Sequence, residues 1–102
     1  MKSEQIVVNG RELLFEFDEN ALGRDFEVLQ NRGIEIARIH LDSHLFSLES
    51  NGEDDDFYLE VVMYGDSGDH FSDPIYEIPK TKEEAKEVIL DWFNDEIKEL
   101  ID

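Results

Sequence analysis

Histidines are the first residues of this chain whose type and spacing suggest chemistry. His40 and His44 lie four residues apart, which is the spacing of two zinc ligands on one helix. The residues around them alternate like a β-strand, where positions four apart hold their side chains about 13 Å apart. If Asp42-Ser43 forms a turn, the two side chains could instead approach each other across a hairpin. The catalytic zinc motif requires a Glu directly after its first histidine, and His40 is followed by Leu41 instead. We therefore expect His40 and His44 to be partly exposed polar residues rather than metal ligands.

A second motif, Gly65-Asp66-Ser67-Gly68, is identical to the tetrapeptide around the nucleophilic serine of trypsin-like proteases. The identity ends there, because Asp69-His70 follows where those enzymes have Gly-Pro. A chain of 102 residues is also too short to build the two barrels that hold such a catalytic triad. The glycines and Asp66 instead predict a polar turn between two strands.

Acidic segments raise the question of calcium binding. Residues 51–56 and 66–73 both offer oxygen ligands, but neither has the central glycine and the closing glutamate of an EF-hand loop. The chain has no cysteine, which excludes thiolate zinc sites and cysteine nucleophiles. We therefore expect no catalytic residue, no metal ligand and no cofactor, and a protein that is not an enzyme.

Charge excludes several classes of partner. The 102 residues include 27 Asp and Glu but only 9 Lys and Arg, so the formal net charge is −18 at pH 7. Nucleic acids and anionic membranes carry the same sign of charge and would be repelled. Hydrophobic residues make up 40% of the chain, which is enough for one folded core, and the length suits a single domain over residues 1–102.

Location is judged from what the sequence lacks. No apolar run follows residues 1–4, so we expect no signal peptide. The longest apolar runs, such as residues 61–64, are far shorter than the roughly 20 residues of a membrane-spanning helix. We therefore expect a cytoplasmic protein.

The first part of the chain predicts a β-hairpin and then a loop. Residues 6–8 and 13–17 are strand-like, and Asn9-Gly10 between them supplies the positive φ angles of a type I′ turn. Residues 18–30 fit either one helical face or a loop followed by a short strand at 26–29. The glycine within this segment favours the loop and strand.

The middle of the chain predicts further strands. Residues 34–41 and 44–49 would pair across Asp42-Ser43, and a change of apolar phase after Ile36 indicates a bulge or a strand covered on both faces. Residues 57–64 carry apolar side chains on both faces, which predicts a central strand. Residues 75–78 lie between two prolines, which suits a short edge strand.

The C-terminal segment predicts an amphipathic helix at about residues 81–101. Thr81 and Glu84 form a capping box, in which the two side chains satisfy free backbone N–H groups. Apolar residues then recur at helical spacing and form one stripe: Ala85, Val88, Ile89, Trp92, Phe93, Ile97 and Leu100. The expected fold class is α+β, a mostly antiparallel β-meander of about five or six strands (residues 1–79) packed against this one helix.

The acidic residues are unevenly distributed. Residues 39–79 contain 11 of them and no Lys or Arg. In the predicted helix, acidic residues follow one another four positions apart, and each like-charged pair costs about 0.2–0.5 kcal/mol. These residues are Glu83, Glu87, Asp91, Asp95 and Glu99. A sequence selected for stability alone would interleave lysines, so we infer that a negative face is tolerated or used.

Two explanations of the charge stay open at this point. An acidic surface could serve only to keep the protein in solution, or to suit a salty cytoplasm. Alternatively it binds a positively charged protein, and the obvious candidates are nucleic-acid enzymes, whose clefts are lined by Lys and Arg. Docking in such a cleft would exclude the substrate, and complementary charge would raise the association rate toward about 10⁸–10⁹ M⁻¹s⁻¹ at low salt.

In its size, acidity, lack of cysteine and α+β pattern, the chain resembles the small immunity proteins of bacterial contact-dependent inhibition and polymorphic toxin systems. The resemblance is one of general character and extends over the whole chain. It implies an inhibitor that neutralises a basic, nucleic-acid-cleaving toxin by occupying the positively charged cleft of that toxin.

The predicted partner-binding residues are acidic side chains from two parts of the chain. The first choice is the acidic loops, with Glu53, Asp54, Asp55, Asp56, Asp66, Asp69 and Asp73, and the second is the helix, with Glu83, Glu87 and Asp91. Two other functions remain as alternatives. A DNA mimic would need a regular double row of acids on an elongated surface. A small metal-dependent enzyme would use His70 with Asp66, Asp69 and Asp73.

Overall fold

The computed structural model describes residues 1–25, 34–51, 57–65 and 68–101. Within these residues, six antiparallel strands form one sheet in sequence order, and one helix packs on one face of it. The strands are β1 (Lys2–Val8), β2 (Arg11–Phe17), β3 (Glu35–Leu41), β4 (His44–Asn51), β5 (Tyr58–Tyr64) and β6 (His70–Phe71), and the helix is α1 (Lys82–Ile101). The predicted α+β meander with a single C-terminal helix is therefore confirmed.

The first hairpin turns where the sequence predicts it. Asn9 and Gly10 have positive φ angles of 51° and 81°, as a type I′ turn requires. Val8 then pairs with Arg11, and the register continues to Lys2 opposite Phe17. The turn therefore sets which side chains of β2 face the helix.

Replacing Gly10 with alanine is expected to lower the free energy of unfolding by about 1 kcal/mol. A Cβ at this position would meet nothing within 4 Å, so the cost comes from the positive φ angle alone. Asparagine tolerates that conformation better, so Gly10→Asn should recover much of the loss when both variants are unfolded in urea. A Gly10→Ala protein as stable as the wild type would show that this turn contributes nothing.

A β-bulge in β3 confirms the change of apolar phase seen in the sequence. The register with β4 shifts between Glu35 and Ala37. Ile36 and Ala37 are both fully buried. The extra residue therefore allows two consecutive apolar side chains to be buried in one strand.

The far edge of the sheet differs from the prediction. β5 lies between β4 and β6, so it is an interior strand but the fifth of six. The edge strand predicted at residues 75–78 is wrong, because the edge strand is β6 and only Ile75 forms a bridge, with Leu59. Ile78, which is 6% exposed, leaves the edge and joins the core. Pro79, which follows it, has no N–H to continue a strand ladder.

Residues 18–25 form the loop that the sequence favoured. The Asp18 carbonyl accepts hydrogen bonds from the backbone N–H groups of Ala21 and Leu22, at 3.1 and 3.3 Å. Gly23, with a φ of 73°, donates its N–H to the Pro79 carbonyl at 2.9 Å, which joins this loop to the segment before α1. The strand predicted at residues 26–29 lies outside the described residues.

The start of α1 has the predicted cap with one difference. The Glu84 N–H donates to Thr81 Oγ1 at 3.2 Å. The Glu84 carboxylate accepts the backbone N–H of Lys80 at 2.9 Å, one residue before the group that a standard capping box would use. Both contacts anchor the first turn of the helix to the chain that precedes it.

The apolar stripe of α1 is narrower than predicted. Ala85, Ile89, Phe93 and Ile97 are buried against the sheet, whereas Trp92 is 43% exposed. Adjacent helical residues point about 100° apart, so Trp92 and Phe93 cannot both face the sheet. Phe93 takes the buried position, at a kink in the helix (φ −120°, ψ 26°), with its ring centre 5.5 Å from that of Phe46.

Candidate partner-binding surfaces

The predicted interface residues that the structure describes are all exposed. Asp69 and Asp73 lie on either side of β6, at the far edge of the sheet. Glu83, Glu87 and Asp91 follow one another along α1. The remaining predicted residues, Glu53, Asp54, Asp55, Asp56 and Asp66, lie outside the described residues.

The outer surface of α1 carries a series of unpaired carboxylates, which we call the acidic helix surface: Glu83, Glu87, Asp91, Asp95 and Glu99. All are exposed. Within the part of the chain that the structure describes, none of them forms an ion pair. Of the three lysines in α1, Lys82 is held elsewhere, 2.7 Å from the Glu4 carboxylate and 5.5 Å from the centre of the Phe17 ring. Lys86 and Lys98 form no ion pair within the described residues. The charge of this surface is therefore left for solvent or for a partner.

A groove runs between α1 and residues 75–79, and we call it the acidic cleft. It encloses about 370 Å³. Its floor is apolar, with Ile75, Ile78, Pro79 and Val88, and its rim is acidic, with Glu77, Glu84, Glu87 and Asp91. The sequence singled out Glu87 and Asp91 but not Glu77. Glu77 reaches the cleft only because residues 75–79 leave the sheet edge and pass beside the helix.

The face of the sheet opposite α1, the open face, holds polar residues that the sequence did not single out. Side chains alternate along each strand, and Glu16, Arg38 and Ser47 are register partners on β2, β3 and β4. They therefore lie in one row across the open face. Only knowledge of the strand register would have predicted this row.

A continuous hydrogen-bonded network follows from that register. Arg38 donates from Nε to Glu16 Oε1 at 2.9 Å and from Nη1 to Glu35 Oε1 at 2.8 Å. His40 Nε2 lies 2.5 Å from the same Glu16 oxygen. Ser47 Oγ continues the network, at 2.5 Å from Glu35 Oε2. The two arginine contacts hold a guanidinium between carboxylates of adjacent strands.

The network extends to β5 through Glu49. Ser47 Oγ lies 3.1 Å from Glu49 Oε2, and the Tyr64 hydroxyl donates to Glu49 Oε1 at 2.5 Å. Ser47 is fully buried, so its hydroxyl is not available to a substrate. Within the described residues, no buried side-chain polar atom lacks a hydrogen bond. The network therefore stabilises the open face rather than presenting a nucleophile.

The charges of the network shift several pKa values. Hydrogen bonds from Arg38 and then His40 hold the pKa of Glu16 below its usual value, and the Glu16 hydrogen bond raises the pKa of Arg38. Burial, followed by the hydrogen bond to the Glu49 carboxylate, raises the pKa of Tyr64. Tyr64 therefore stays protonated as a hydrogen-bond donor at neutral pH.

Replacing Arg38 with methionine is expected to lower the free energy of unfolding by about 1–3 kcal/mol at pH 7, because Glu16 and Glu35 lose charge-assisted hydrogen bonds. The folded-state pKa of Glu16 is depressed, so this stabilisation is present above about pH 4.3 and is lost as the pH falls through the folded-state value. The difference between wild type and variant should therefore narrow in acid. Urea denaturation at several pH values measures it.

Arg11→Met is the matched control for that experiment. Arg11, at the start of β2, pairs with Asp42 in the turn after β3, and the side chains are 38% and 59% exposed. Exposed pairs of this kind contribute about 0–1 kcal/mol. Equal losses for the two variants, or an Arg38→Met deficit that does not narrow as the pH falls, would contradict the role assigned to the network.

The three histidines do not all meet at one site. His40 contacts Glu16, whereas the His44 ring lies against Gly65, where a Cβ would come within 2.3 Å of it. His44 and His70 both line a cavity of about 280 Å³ near the end of α1, together with Met63, Glu96, Glu99 and Leu100. Within the described residues, no group of three or more His, Asp or Glu side chains is placed to hold a metal ion. Asp66, one member of the alternative metal site, is outside those residues.

Two further findings concern membrane-spanning helices and similarity to known proteins. No helix in the described ranges is long and apolar enough to cross a membrane. Comparison with protein-family models, with curated proteins and with solved structures finds no match to this chain.

Proposed function

We propose that this chain is an acidic protein-binding module, acting by binding rather than catalysis. Its partner in this proposal is a basic protein, namely a nucleic-acid-cleaving toxin, which the chain neutralises as an immunity protein by blocking the positively charged cleft. The observation that carries the proposal is the acidic helix surface. Its carboxylates are exposed and have no cationic partner within the described residues.

The cost of this surface supports its use in binding. Neighbouring carboxylates four residues apart along α1 repel one another, and each such pair costs about 0.2–0.5 kcal/mol. Asp95 and Glu99 also lie in the last part of the helix, where the helix dipole favours cations. A basic partner would relieve the repulsion, so part of the energy lost in the free protein would return on binding.

Charge also determines how such a partner would be found. A protein with a net charge of −18 attracts a basic surface over long distances, which raises the association rate and makes it depend on salt. A nuclease cleft lined by Lys and Arg is built to attract phosphates, so it also attracts a row of carboxylates. Glu53, Asp54, Asp55 and Asp56 stay predicted partner-binding residues.

The proposal is tested with the whole chain as bait. Proteins captured at about 50 mM NaCl and released at high salt are identified by mass spectrometry, and the basic ones are purified. We expect a 1:1 complex with one of them and loss of its nuclease activity in that complex. A purified basic partner that keeps its full activity when saturated with this chain would contradict the proposal. So would the absence of any basic partner.

A further inference from the structure

The acidic cleft combines an apolar floor with an acidic rim. Its floor is apolar, and two of the floor residues, Ile78 and Pro79, are buried. Its carboxylates stand on opposite walls, with Glu77 on the segment before α1 and Glu87 and Asp91 on α1 itself. A ligand that fits it needs an apolar stem and a cationic head that reaches both walls.

The walls of the cleft are already fixed in the free protein. Ile75 is joined to Leu59 by two backbone hydrogen bonds of 2.7 and 2.8 Å. The Pro79 carbonyl accepts the Gly23 N–H at 2.9 Å, and the Glu84 carboxylate accepts the Lys80 N–H at 2.9 Å. A ligand would therefore enter a preformed groove and would lose little affinity to reorganisation of the backbone.

None of the four carboxylates that line the cleft has a charged partner within the described residues. Glu84 accepts the Lys80 N–H, which leaves Glu77, Glu87 and Asp91, all exposed, for a ligand. The cleft is at the small end of the range of ligand pockets, which is about 300–1,000 Å³. This size suits one side chain of a partner rather than a whole small molecule.

We propose that the acidic cleft binds an arginine side chain presented by the basic partner, an inference that rests on the proposed function. The aliphatic part of the arginine lies on Ile75, Ile78 and Val88. The guanidinium bridges Glu77 on one wall and Glu87 or Asp91 on the other. Its planar fork of five N–H donors can reach both walls, whereas a lysine ammonium is a compact and more strongly hydrated charge. The open face shows the same chemistry, because Arg38 is held there between Glu16 and Glu35.

The test uses N-acetyl-arginine amide as the probe and the full ¹⁵N-labelled chain. We expect saturable NMR shifts confined to residues 75–79 and 84–91, with millimolar affinity. N-acetyl-lysine amide should bind at least about threefold more weakly. Shifts of the same size along the whole acidic helix surface would overturn the proposal, as would equal affinity for the lysine probe.

Matched variants locate the binding. Glu87→Gln/Asp91→Asn is expected to weaken arginine binding about tenfold, because charge-assisted hydrogen bonds are lost. Glu83→Gln/Asp95→Asn removes the same charge from the same helix but outside the cleft, and should change the affinity less than about twofold. Glu77→Gln should reduce the preference for arginine over lysine. Equal weakening by the two double variants would overturn the proposal.

The result of the probe experiment does not depend on the result of the partner experiment. The titration needs no protein partner. If the protein binds no arginine probe but still inhibits a basic nuclease, the arginine site is refuted and the proposed function stands. If the protein has no basic partner but still binds the probe at residues 75–79 and 84–91, the proposed function is refuted and the arginine site stands.

Discussion

Replacing Phe46 with alanine is expected to lower the free energy of unfolding by about 3–5 kcal/mol. Phe46 lies in the middle of the sheet on β4, is 0% exposed, and packs against Phe93 of α1 with ring centres 5.5 Å apart. Its removal therefore leaves a cavity between the two layers of the fold. Domains of this length have a total stability of about 5–15 kcal/mol, so the loss would be easily measured by urea denaturation followed by circular dichroism.

Phe71→Ala is the control for this prediction. Phe71 has the same side chain but is 59% exposed on β6, so the expected loss is below about 1 kcal/mol. If Phe46→Ala does not fold, Phe46→Leu should still fold with a smaller loss of about 1–2 kcal/mol. Similar losses at positions 46 and 71 would contradict a core that lies between α1 and one face of the sheet.

Neutralising the first three carboxylates of the acidic helix surface is expected to slow association with a basic partner about tenfold or more at low salt. The variant is Glu83→Gln/Glu87→Gln/Asp91→Asn, which removes three exposed carboxylates and keeps their size. Electrostatic steering acts on the encounter, so the association rate should fall more than the dissociation rate rises. Stopped-flow measurements give both rates.

Salt and stability separate this effect from damage to the fold. The Debye length falls from about 30 Å at 0.01 M salt to about 10 Å at 0.1 M, so the difference between wild type and variant should shrink as salt is added. The variant loses like-charged neighbours but also loses Glu83 from the first turn of α1, where the helix dipole favours a carboxylate, so its free energy of unfolding should stay within about 1 kcal/mol of the wild type. A slower association that is independent of salt would contradict steering by these carboxylates.

Features set by neighbouring residues could be predicted from the sequence. Asn9-Gly10 gives the hairpin turn through its own backbone preferences, and Thr81 with Glu84 caps a helix through contacts within one turn. The bulge beside Ile36 was visible because the apolar phase changes within one strand. In each case the physical cause lies within a few residues of its effect.

Features that depend on contacts between distant residues could not be predicted from the sequence. Residues 75–78 read as an edge strand, yet Ile78 is drawn into the core by its contact with other elements. Predicting the open-face network would require the register of four strands. The network runs from Glu16 to Tyr64 through Arg38, Glu35, Ser47 and Glu49. A single sequence shows which residues alternate along a strand but not how neighbouring strands pair. It therefore gives the number of these acidic residues but not their positions in the sheet.

The same limit applies to the candidate interface. Glu87 and Asp91 were predicted because they lie on one helical face, which is a local property. Glu77 was missed as their companion, because only the path of residues 75–79 past α1 brings it to the same cleft. The sequence predicts the Trp92 side chain in the core, but it is 43% exposed, because the adjacent Phe93 takes the buried position on α1.

The most direct test of the acidic helix surface compares two triple variants with the same net charge. One is Glu83→Gln/Glu87→Gln/Asp91→Asn, and the other is Glu12→Gln/Glu19→Gln/Asp25→Asn, whose residues are exposed but lie outside α1. Their association rate constants with one purified basic partner are measured at low salt. We predict about a tenfold or larger reduction for the helix variant and less than about threefold for the other. Equal reductions would show that only total charge matters and would contradict docking through α1.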